Sequence, residues 1–62
     1  MGNKIETLVK EIETLSATFA TEANANLGGN KAAGRRARKA TLALAKLFKE
    51  YRTLTVEAEK GE

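Results

Sequence analysis

Apolar residues in the first half of the chain recur at alternating steps of three and four. Ile5, Leu8, Ile12, Leu15 and Phe19 carry the pattern, and Ala23 and Leu27 extend it. That spacing lines one side of an α-helix, whereas a half-buried strand would alternate at every second residue. Asn3 stands where an N-cap belongs. Asn24 and Asn26 weaken the end of the pattern, and Gly28 supplies a terminator. The first predicted helix runs from about residue 4 to 27. In the second half Ala33, Ala37, Ala40, Leu44, Leu47, Tyr51, Leu54 and Ala58 keep steps of four and three without a break. This is the stronger stripe. Asn30 is the natural N-cap of a second helix from residue 31 to about 60, roughly 45 Å long at 1.5 Å per residue.

The turn left between the helices, residues 28–30, is too short for anything but an antiparallel αα-hairpin. There is no proline to interrupt either helix. The expected fold is all-α, a single helical-hairpin domain over residues 1–62. Two helices bury little, and a chain of 62 residues makes a marginal core. Leu44, Leu47, Phe48, Tyr51 and Leu54 are the candidate core and interface. Phe48 and Tyr51 are too large for a two-helix seam to cover. The chain is therefore expected to form a homodimer, closing into a four-helix bundle or coiled-coil assembly. Leu42 and Val56, also off the stripe, read as ordinary exposed apolar residues.

Charge changes the picture most. The net charge of +3 conceals a strong asymmetry. Residues 1–29 hold two Lys and four Glu; residues 31–52 hold eight cations against Glu50 alone; residues 53–62 return to net negative. Lys31, Arg35, Arg36, Arg38 and Lys39 crowd the start of the second helix. The helix dipole disfavours cations there, and a local rule broken this firmly marks function. On a helical wheel Arg35, Arg38, Lys46 and Lys49 fall within about 60° of Lys31, and Lys39 at about 80°. Arg36 and Arg52 flank this ridge. The bland reading is a solvated exterior, but such exteriors mix signs. Arg presents a planar fork suited to phosphate. Unpaired N–H groups at residues 31–33 form a second anion-binding feature.

Other chemistries find little footing. Gly29-x-x-x-x-Gly34-Arg35-Arg36 is a poor nucleotide loop, with no Lys-Ser/Thr after the second Gly and no strand before the first. Glu11/Glu13 and Glu57/Glu59 are two residues apart and do not face each other on a helix. With no His and no Cys, the commonest base, nucleophile and metal ligands are missing. The expectation is no enzyme, no metal, no cofactor and no small-molecule substrate. No apolar run suits a signal peptide or a membrane span. The three aromatics, Phe19, Phe48 and Tyr51, form no stacking platform for single strands. Duplex DNA is the expected partner, with RNA left as an alternative. The competing class is a structural dimerisation or adaptor module whose basic face meets an acidic protein.

The segment GNKAAGRRARKATLALAKLFKEYRTLTVEAEK, residues 29–60, resembles the bacterial histone-like family typified by the chlamydial linker-histone-like nucleoid proteins. The resemblance rests on Gly29-Asn30-Lys31-Ala32-Ala33, then Arg36 and Arg38 two apart. A Leu/Lys-rich helix, Tyr51-Arg52 and Glu57-Ala58-Glu59-Lys60 follow. It covers about half the chain; the first half matches only as an acidic amphipathic helix. It implies a cytoplasmic, nucleoid-associated protein that compacts, bridges or bends DNA without reading its sequence and self-associates through its helices. Chlamydial members continue into a Lys/Ala/Pro-rich tail that this sequence, ending at Glu62, lacks. The expectation is that the structured cluster Lys31, Arg35, Arg36, Arg38 and Lys39 does the binding, with Lys46 and Lys49 secondary.

Overall fold

Two amphipathic helices joined by three residues can bury their stripes only against each other, and they do so. The computed structural model describes residues 2–61, with side chains from Lys4 onward. Helix α1 spans Gly2–Leu27 and α2 spans Lys31–Lys60. They pack antiparallel into a rod of 50 × 15 × 11 Å, and the described residues contain no strand. This is the all-α hairpin that the two stripes predict.

The seam is graded along its length. Near the turn Ala33, Ala37 and Ala40 let the helices approach closely, and all three are buried. Gly34 is buried beside them, and a Cβ there would lie 2.6 Å from Asn26 Nδ2. Further along, Leu8 and Leu44 complete the buried core. Towards the open end Ile5, Ile12, Leu47 and Leu54 are only partly covered. Phe48 and Tyr51 remain 46% and 39% exposed. The larger side chains thus sit where one hairpin has least to cover them with.

The turn satisfies the end of α1 and the start of α2 with the same three residues. Gly29 N–H donates to the Asn26 carbonyl at 2.9 Å, and Asn30 N–H donates to the Ala25 carbonyl at 3.1 Å. Gly29 has φ 109°. These are the 5→2 and 6→1 bonds of a Schellman motif, with the left-handed residue that favours glycine. Asn30 then caps α2: its Oδ1 accepts from Ala33 N–H at 3.0 Å. Asn26 Nδ2 donates to the Asn30 carbonyl at 3.1 Å, bracing the turn.

Three details differ from the sequence expectation. The left-handed terminator is Gly29, not Gly28, because the motif places its positive φ one residue beyond the helix cap. Leu27 is 84% exposed, because the chain reverses there and the seam passes through Asn26 and Gly34 instead. Helix α1 already begins at Gly2, so Asn3 lies in its first turn and is not its cap.

Candidate nucleic-acid interface

Helix α2 carries opposite chemistries on opposite sides. Taking Lys31 as zero and 100° per residue, the buried Ala33, Ala37, Ala40 and Leu44 centre near about 210°. Arg35, Arg38, Lys46 and Lys49 lie within about 60° of Lys31, facing away from α1. All five side chains are exposed, as is Lys39 at the border of the ridge. No carboxylate falls within about 60° of Lys31: Glu57 and Glu59 lie at about 80° from it, the border angle of Lys39, and Glu50 at about 100°. Leu42, 69% exposed, sits in the middle of this sector. The hairpin therefore displays a line of cations along one side of its rod.

Arg36 stands apart from the ridge. It lies at about 140°, at the edge of the seam, where its Nε donates to Glu22 Oε1 of α1 at 2.9 Å. This is the one salt bridge among the described residues. The guanidinium is 54% exposed, so the pair is solvent-screened and worth well under 1 kcal/mol, as an order of magnitude. The same wheel arithmetic shows this position in the sequence; charge counting alone hides it. Conversely, Arg52 and Lys60 fall at about 60° and 20° from the ridge centre and are exposed. Arg52, expected only to flank the ridge, thus lies on it, and Lys60, not among the cations expected there, continues its line.

The start of α2 offers less to an anion than its sequence suggests. Ala33 N–H is taken by the Asn30 side chain, and Gly34 N–H donates to the Asn30 carbonyl at 3.3 Å. Of the first three N–H groups, those of Lys31 and Ala32 are left to face an outside acceptor. The arrangement is one of surface electrostatics: several Lys and Arg held at helical spacing, none of them but Arg36 in a salt bridge among the described residues. That is the chemistry of a phosphate backbone contact. The described residues hold no group of three or more His, Cys, Asp or Glu placed to bind a metal ion. No described helix is long and apolar enough to cross a membrane.

Comparison with known families agrees with this chemistry. The family model described as histone H1-like protein Hc1 matches residues 6–61. The match includes most of α1, whose own residues resemble the family only as an acidic amphipathic helix. The chain therefore belongs to this family of DNA-binding, histone-like nucleoid proteins. No curated protein and no solved structure matches it.

Proposed function

We propose that this histone H1-like chain binds duplex DNA without sequence preference, as a homodimer, and compacts it by contacting backbone phosphates. Lys31, Arg35, Arg38 and Lys39 carry the contacts, with Lys46 and Lys49 continuing the line and Arg36 contributing from its edge. One observation supports this above the rest: from Lys31 to Lys49, α2 holds seven cations and no carboxylate. A surface built only for solubility would interleave Glu with Lys, as the exposed side of α1 does with Lys4, Glu6, Lys10, Glu11 and Glu13. The ridge is convex, and its cations are long and flexible. Such a surface tracks phosphates but does not present a fixed pattern to base edges.

The reading is tested by gel shift on random-sequence duplexes across a salt series. Each neutralised phosphate contributes about −0.9 to the slope of log K against log salt. With roughly four to six contacts, affinity should fall by about two to three decades between about 50 and 200 mM salt. Binding that ignores salt, or that strongly prefers one sequence, would contradict it. An acidic peptide competing as well as DNA at equal charge would favour the adaptor reading instead.

A further inference from the structure

The two broad faces of the hairpin, where α1 and α2 lie side by side, are unlike. One carries Lys4, Glu11 and Glu50 around Leu8 and Leu54, and further along the Arg36–Glu22 pair. The other holds a groove lined by Val9, Ile12, Phe48 and Tyr51, with Glu13 at its rim. Helical spacing continues this second face towards the turn through Ala20 on α1 and Thr41 on α2. Its threonines already use their hydroxyls: Thr41 Oγ1 donates to the Arg38 carbonyl at 2.6 Å, and Thr55 Oγ1 to the Tyr51 carbonyl at 2.9 Å. A partner can cover them without stranding a donor. Covering the first face would bury charges instead.

The exposed area is also larger than a chain of this size should carry. A folded monomer of 6.7 kDa exposes about 3,900 Å². This hairpin exposes 4861 Å². The excess is of the same order as the ~800 Å² that each partner buries in a standard interface.

We infer that two copies join through this groove face with α1 of one lying on α2 of the other, their two-fold axis running along the helices. This rests on the DNA-binding homodimer proposed above and fixes its geometry. Charge decides between the two face-to-face pairings. Helix α1 is net negative and α2 strongly positive. Setting α1 on α2 puts the Glu13 rim of each copy along the Arg52 rim of the other. The alternative sets α2 on α2 and brings like-charged rims together. It is also satisfied only where the off-centre groove crosses the axis, whereas an axis along the helices overlaps the groove face over its whole length. The pairing has a functional consequence. The two α2 helices occupy diagonal corners of the four-helix bundle, so their cationic ridges point in opposite directions. One dimer then holds two separate duplexes, bridging them; the rejected pairing would merge the ridges into one broad surface for a single duplex.

The chain contains no Cys, so single cysteines report the pairing directly. Ala20→Cys and Thr41→Cys chains, one carrying a mass label, are mixed, checked for helicity by circular dichroism, and oxidised. The mixed disulfide should exceed either same-variant disulfide by at least tenfold. Same-variant crosslinks in excess, or no crosslink from a chain that sediments as a dimer, would overturn the pairing. With the native chain, a bead-held duplex should retain a second, labelled duplex. Failure to retain it while gel shifts persist would overturn bridging. A monomer that still shifts DNA would remove this pairing and leave the DNA reading standing. No shift at low salt would remove both.

Discussion

The seam and the ridge of α2 share one helix and one set of turns, yet they are built on opposite rules. The seam is Ala33, Ala37, Ala40 and Leu44: apolar, uncharged and buried. The ridge is Lys31, Arg35, Arg38, Lys46 and Lys49: long, charged and exposed. The seam obeys every local preference of a helix packed on another helix. The ridge defies one, by placing cations at the positive end of the helix dipole. The difference separates what holds the hairpin together from what it is proposed to hold. Arg36 lies on the boundary and serves the seam through Glu22.

The harshest way to break the comparison is to put a charge on the wrong side. Ala37→Asp buries a carboxylate with no cation facing it, at a cost of roughly 3 kcal/mol or more. In a hairpin this small, the helical circular dichroism signal should collapse, and DNA binding with it. Two leucines sharpen the contrast at smaller scale. Leu8 is 3% exposed and Leu42 69% exposed. Leu8→Ala should cost about 2–5 kcal/mol, and Leu42→Ala less than about 0.5 kcal/mol, both read from chemical denaturation.

The two turn glycines should differ as well. Gly29→Ala forces a Cβ into the left-handed region, costing about 1–2 kcal/mol. Gly28→Ala places its Cβ 3.4 Å from the Ala25 carbonyl, an ordinary contact, and should shift stability by less than about 0.5 kcal/mol. Equal losses in melting temperature would show that the turn is not the Schellman motif described. Smallest of all, Arg36→Ala should cost only about 0.2–0.4 kcal/mol of stability, because the pair is solvent-screened. It should lower the salt slope of DNA binding by less than Arg38→Ala, which removes up to about 0.9 from it.

Most of the seam was legible because heptad spacing leaves little choice of side. Asn30 was legible because a side-chain acceptor just before a helical run has one obvious use. The turn was not, because a doublet of glycines does not say which one takes the positive φ; the pattern of hydrogen bonds decides. Leu27 misled for a related reason. It keeps the apolar spacing of α1, but the chain has begun to reverse and the partner helix is no longer beside it. Gly34 looked like part of a failed phosphate motif, whereas its missing side chain makes room for Asn26. Arg36 was countable as a cation from the sequence. Only its angle on the helix, and the presence of Glu22 at the same level of α1, set it apart from its neighbours.

The most direct test of the separation between seam and ridge is the double variant Arg35→Glu/Arg38→Glu, melted and gel-shifted in the same preparation. Both residues face away from α1 and lie near the positive end of the dipole. The hairpin should melt unchanged or slightly higher, by less than about 0.3 kcal/mol per site, since both lie past the first turn, where the dipole term falls off. DNA binding should collapse, since each chain changes by four units of charge on the contact surface. A sharp drop in melting would show that these arginines hold the fold. Binding that survives the substitution would place the DNA contact elsewhere on the molecule.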